Sequence, residues 1–178
     1  MSGSIVEKSL QGVFEYRTRL STGKYPDEHI TMMGVGPCQW EETLDEDGQL
    51  HSYFDRPSLI GRDLTTGDVL FQAWHQAGDF HRTADDPAII YGYDGQFRQE
   101  QYWVNGVQHR DEKYGPASFE IDLQTNVVVW ETYYRMGKNE RRHGPAHICR
   151  DSDGTVYDEE FIGFEGRLMP LSPDPSIV

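Results

Sequence analysis

The sequence predicts an all-β protein: antiparallel β-hairpin repeats of about 29 residues each, forming a twisted meander. Rolling of that meander into an open barrel is the variant of the same reading. Three observations predict it. A tract running Gly-x-x-His-Arg to Pro-Ala recurs down the chain. Short polar segments that place Asp ahead of Gly or Asn separate the copies. No segment keeps an apolar period of 3.6 over three helical turns.

Residues 1–35 read as a strand and cap region. Within it VFEYRTRL alternates, with Phe14, Tyr16 and Leu20 on one side and Glu15, Arg17 and Arg19 on the other. The repeats occupy 36–169, beginning with PCQWEETL, which alternates through Cys38 and Trp40. The first copy turns at Gly48 and carries His51 and Pro57-Ser58. The second runs VLFQAW into Gly78, then His81-Arg82 and Pro87-Ala88. The third runs QEQYWV into Gly106, then His109-Arg110 and Pro116-Ala117. In the fourth, VVVWETYY leads to Gly137, Glu140 replaces the His, Arg141 keeps its place, and Pro145-Ala146 follows. The four prolines are spaced 30, 29 and 29 residues apart, which fixes the period. A fragment of a last copy shows in EEFIGFEGRLMP, and 170–178 read as a tail outside the single domain 1–169. Between copies, RDLTTGDV, GYDGQF, DLQTNVVV and DSDGTVY supply the positive φ and side-chain turn bonds of hairpins. In each Pro-Ala tract Pro cannot donate a ladder bond, and Ala opens the next strand where space is short.

With 178 residues the chain has length for one domain with a true core, and 37% hydrophobic content with 12% aromatics argues for a folded chain. The formal net charge of −14 would repel a phosphate backbone, so direct nucleic-acid binding is not expected unless the basic residues cluster, and a basic protein partner or mimicry of nucleic acid fits. Cys38 and Cys149 make no disulfide framework, and free thiols are expected. No apolar run is long enough to span a membrane, and MSGSIVEKSL has no signal-peptide core, so a cytoplasmic protein is the expectation.

The aromatics four residues before each turn Gly, Trp74, Tyr102 and Tyr133, would form a packed ladder across neighbouring hairpins. The repeat histidines are read as bonding to turn carbonyls, and no metal ligand set is assigned. His143 and His147 are four apart, but Pro145 argues against the helix that would pair them. The repeat arginines lie near Asp85, Asp86, Asp111, Glu112 and Glu140, so fork-like pairs pinning each loop are one reading. A line of arginines facing an anionic ligand is the other. On that second reading the ligand-binding candidates are Trp74, His81, Arg82, Trp103, His109, Arg110, Tyr134 and Arg141. There is no G-x-S-x-G, Walker loop, H-E-x-x-H or C-x-x-C, so no catalytic residue and no cofactor are assigned.

The run Trp103-x-x-Gly106-x-x-His109-Arg110, leading to Gly115-Pro116-Ala117, resembles the variant MORN-type repeat of bacterial and phage proteins, including the YwqK-like antitoxin family. The resemblance covers roughly 40–170 and departs from the shorter, Gly-pair-rich MORN unit. It implies stacked β-hairpins and interaction roles. The expected function is therefore a non-enzymatic interaction protein that binds and neutralises a protein partner, of antitoxin, immunity or anti-defence type. A β-barrel binding a small planar anion such as a nucleotide is the alternative, and a hydrolase or lyase using a repeat histidine as base is the third. An exposed sheet edge also leaves a homodimer open.

Overall fold

The structure, a computed structural model, describes residues 6–11, 14–83, 85–93 and 95–163. The chain opens with β1 (Val6–Gln11), β2 (Phe14–Gly23), a short helix α1 (Glu28–Met32) and β3 (Cys38–Leu44). Three units of one design follow. The first has β4 (Leu59–Arg62) and β5 (Val69–Ala73), then a small hairpin of β6 (His75–Gln76) and β7 (Asp79–Phe80). The second has β8 (Ile89–Tyr93) and β9 (Phe97–Gln101), then β10 (Trp103–Val104) and β11 (Val107–Gln108). The third has β12 (Ser118–Asp122) and β13 (Val127–Thr132), then β14 (Tyr134–Arg135) and β15 (Lys138–Asn139). β16 (His147–Arg150) and β17 (Val156–Glu160) complete the described strands.

The long strands form one eleven-stranded antiparallel sheet in the order β1-β2-β3-β4-β5-β8-β9-β12-β13-β16-β17. The predicted hairpin meander is therefore the fold. The sheet does not close: β1 and β17 stand at opposite ends of that order, so the barrel variant is corrected to an open sheet. The tail 170–178 and the last residues of EEFIGFEGRLMP lie outside the described residues.

The polar segments between copies are the turns of the long hairpins. The Asp63 carboxylate accepts the N–H groups of Thr65 and Thr66 at 2.7 and 2.8 Å, and Asp122 does the same for Gln124 and Thr125 at 2.8 and 3.2 Å. Those bonds hold the turns in which Gly67 and Asn126 take φ of 77° and 59°.

One sheet face carries the core. Register places Trp40 opposite Gly61, Gly61 opposite Phe71, and Phe71 opposite Tyr91; Leu59, Ala73 and Ile89 fall on the same face. These side chains are buried under Ile30 of α1 and Val35. The helix was not expected, because five residues are too few to show a period in the sequence. Further along the same face the residues turn polar: Gln101, Ser118, Thr132 and His147 follow Ile89 in register.

The apolar half also buries a charge. Glu42 is 1% exposed. Its carboxylate takes the Nε and Nη2 groups of Arg19 and the Tyr25 hydroxyl, the last at 2.8 Å. Burial, with that carboxylate beside it, pushes the Tyr25 hydroxyl well up, so it stays a donor.

His75 is buried too, with Nδ1 2.8 Å from the Ser58 hydroxyl and its ring 4.5 Å from Phe80. Burial pulls its pKa down to about 4. The unfolded chain therefore binds a proton near pH 6.5 that the folded chain refuses, and stability falls as pH drops from that value toward about 4. The expected loss is at most about 3 kcal/mol. Urea unfolding between pH 7 and 4 should show a slope that His75→Gln reduces by about one proton. An unchanged slope in the variant would reassign the acid sensitivity to other groups.

Candidate functional site

The small hairpins lie side by side beyond one end of the sheet, and each copy of the repeat locks the next. Their two-residue loops have positive φ at both positions: 48° and 86° at Ala77-Gly78, 49° and 71° at Asn105-Gly106, 51° and 76° at Met136-Gly137. The first residue of each loop donates its backbone N–H to a histidine of the preceding copy. Ala77 bonds His51 Nδ1 at 3.2 Å, Asn105 bonds His81 at 3.1 Å, and Met136 bonds His109 at 3.4 Å. The following glycine donates to the carbonyl of Leu50, Phe80 or Gln108. This corrects the expected role of the histidines: they accept a turn N–H instead of donating to a turn carbonyl. An accepting Nδ1 leaves the ring proton on Nε2, so neither nitrogen is a free base. Glu140 now has a reason. Among the described residues no further small hairpin follows the fourth copy, and Glu140 turns back to bond Arg135.

The arginines follow the same rule. Arg82 gives Nε and Nη2 to both oxygens of Asp55 at 2.9 Å each, and Nη1 to the Pro87 carbonyl at 3.1 Å. Its guanidinium lies 3.9 Å over the Trp74 ring. Arg110 repeats this with Asp85 at 2.7 and 2.8 Å, Pro116 at 3.1 Å and Tyr102 at 3.8 Å. The hydrogen bonds from Arg82 hold the Asp55 carboxyl below its usual range. Burial works against the Arg110 charge, but the bond to Asp85, together with the nearby Tyr102 hydroxyl and the Asp85 and Glu100 carboxylates, outweighs it and raises the pKa. The aromatic ladder is thus an alternation of ring and guanidinium, not of ring on ring.

Arg141 keeps two parts of this arrangement and lacks the third. It stacks 3.8 Å over Tyr133 and donates Nη1 to the Pro145 carbonyl at 3.2 Å. Among the described residues Nε and Nη2 meet no carboxylate. Asp55 and Asp85 stand four places after their His, and the equivalent place after His109 holds Lys113. Lys113 pairs with Asp111 at 3.2 Å, while Glu112 takes the Arg142 N–H and His143 at 2.8 and 2.7 Å.

Two grooves open between successive small hairpins. One, of about 320 Å³, is lined by His81, Arg82, Trp103, His109 and Arg110. The next, of about 260 Å³, is lined by His109, Arg110, Tyr134, Arg135, Arg141 and Arg142, among others. The structure therefore brings seven of the eight sequence candidates to these grooves. Trp74 is not among them: it is buried, its Nε1 bonds the Asp55 carbonyl at 3.0 Å, and Arg82 covers its face. Trp103 is held from behind, with Nε1 3.0 Å from Gln101 and its ring against His29 and Phe80.

A second constellation was missed by the sequence reading. His147 and Cys149 are two apart on β16 and share a sheet face, with Nε2 3.2 Å from Sγ. Asp158 stands directly across from Cys149 on β17, and Thr132 directly across from His147 on β13. The alternation His-x-Cys in a strand was the available signal; the carboxylate becomes visible only through register. Compared with protein-family models, characterised proteins and solved structures, the chain matches none.

Proposed function

We propose that the chain is a non-enzymatic interaction protein, of antitoxin, immunity or anti-defence type, whose second groove receives a carboxylate of a protein partner at Arg141. One observation carries this reading: two arginines of the series hold a carboxylate of their own chain in a bidentate fork, and the third presents the same fork to a groove. Asp111, Glu112 and Glu140 line that groove along with Arg135 and Arg142, and Glu140 is bonded to Arg135, so the cationic feature that the groove offers is the Arg141 fork itself, on a chain of net charge −14. A partner that is basic around one inserted acidic side chain fits both features.

A small carboxylate could fill the same fork. The volume of about 260 Å³ lies below the roughly 300–1,000 Å³ of most small-molecule pockets, which favours a side chain or chain terminus over a nucleotide. The reading with a repeat histidine as base has no support in the Nδ1 geometry of His81 and His109. Among the described residues no helix is long and apolar enough to cross a membrane.

Native mass spectrometry of the tagged protein recovered from its host's lysate tests the proposal, with Arg141→Ala run in parallel. A stoichiometric protein mass on the native chain, reduced at least tenfold on the variant, is expected. A small-molecule mass lost with Arg141 would move the assignment to the second reading, and a bare mass in both samples would sink the first.

A further inference from the structure

We propose that His147, Cys149 and Asp158 form a Zn²⁺ site on the polar part of the sheet face, pinning β17 to β16. One ligand atom from each residue lies within 4.8 Å of the others. A thiolate, an imidazole and a carboxylate together suit Zn²⁺ better than the hard cations Mg²⁺ or Ca²⁺, which take oxygen donors. Zn–S of about 2.3 Å and Zn–N of about 2.0 Å at a tetrahedral angle require the two atoms to be roughly 3.5 Å apart. The observed 3.2 Å needs an opening of a few tenths of an ångström, within reach of small side-chain rotations.

The second ring nitrogen supplies the independent support. His147 Nδ1 lies 2.9 Å from the Thr132 hydroxyl, and Thr132 is buried at 2% exposure. A metal-ligating histidine is oriented by a hydrogen bond to its other nitrogen, and here that bond aims Nε2 at the thiol. The Trp130 ring, opposite Cys149 in register, meets the imidazole edge-on at 5.7 Å and shields it. Three protein ligands leave a fourth position for water or for a donor from a bound molecule.

Three features separate this group from a chance cluster. The ligands come from adjacent strands in fixed register, so closing the site orders no loop. The chelating pair lies two residues apart on one strand, where alternation forces both side chains to one face. The other cysteine, Cys38, is buried in the apolar core and belongs to no such group among the described residues.

The test uses the full chain, stripped of metal with a chelator and titrated with Co²⁺. A near-ultraviolet thiolate-to-cobalt band should grow to saturation at one ion per chain and be displaced by Zn²⁺. Cys149→Ser should abolish the band, and Cys38→Ser should leave it intact. His147→Gln and Asp158→Asn should weaken Co²⁺ binding at least tenfold. Asp158 is exposed, so its variant folds like the native chain, and circular dichroism checks this for each protein. Zn²⁺ should raise the Tm of the native chain and not that of Asp158→Asn. Absence of the band, or its survival in Cys149→Ser, overturns the proposal; so does Asp158→Asn binding Co²⁺ as tightly as the native chain.

Discussion

Trp40→Ala should lower the unfolding free energy by about 4 kcal/mol, the upper range for truncating a buried aromatic. The ring is 1% exposed and packs against Tyr25 and Phe71, with centroids 4.9 and 5.7 Å away. Its Nε1 bonds the Gly23 carbonyl at 2.7 Å, and truncation leaves that acceptor without its donor. The ring also lies flat on Gly61: a Cβ placed there would stand 2.6 Å from Trp40 Cζ3. Gly61→Ala should therefore cost roughly 1–3 kcal/mol by overpacking. In the Trp40→Ala background the same change meets open space and should be nearly neutral, giving a coupling energy of about 1–3 kcal/mol. Urea unfolding of the four proteins measures the cycle. Additive costs would mean that Gly61 is glycine for some reason other than the indole lying on it.

The repeat was legible because its chemistry is local. Each small hairpin turns on a Gly at positive φ, a Pro-Ala or Pro-Ser pair leads into one long strand of each copy, and both signals recur at a nearly fixed spacing. What each repeated side chain bonds was less legible, because its partner lies in the neighbouring copy. His81 looks as though it should serve its own turn, yet it receives the N–H of Asn105, 24 residues on. Arg82 has Asp85 and Asp86 close by in sequence, yet its carboxylate is Asp55, 27 residues back. In a meander, one repeat of sequence separation is a single hairpin width in space, and only register reveals it. The same limit hid Asp158 from Cys149. The buried Glu42 was hidden differently: PCQWEETL alternates so that Glu42 falls on the core side, a position a charge fills only with partners such as Arg19 and Tyr25.

Arg110→Ala and Arg141→Ala should separate stability from binding, although the two residues occupy the same place in the repeat. Arg110 is 12% exposed in its side chain and holds Asp85, the Pro116 carbonyl and the Tyr102 ring together. Its loss removes three guanidinium hydrogen bonds and a cation–π contact and leaves Asp85 without its arginine, for a cost of about 3 kcal/mol. Arg141 loses only its ring contact and one carbonyl bond, for about 1 kcal/mol. The sharper variant is Lys113→Asp, which supplies at the equivalent place the carboxylate that Asp55 and Asp85 provide in the earlier copies. If the open fork of Arg141 is an unfilled lock, Lys113→Asp should fill it, raising stability by about 1 kcal/mol while abolishing partner capture. Denaturant titration and native mass spectrometry on the same preparations read the two effects. A variant that gains stability and still captures the partner would show that the carboxylate seat is not the contact. A Lys113→Asp variant that gains nothing would mean that the longer loop before Pro116 carries residue 113 away from Arg141, and Glu112→Ala, which frees His143 and the Arg142 N–H, would then report whether the groove still binds. The physical point in either case is that a repeat protein makes a binding site most economically where it omits one of its own locks. The stacked, pre-oriented guanidinium is already built by the repeat, and a partner need supply only the missing oxygens.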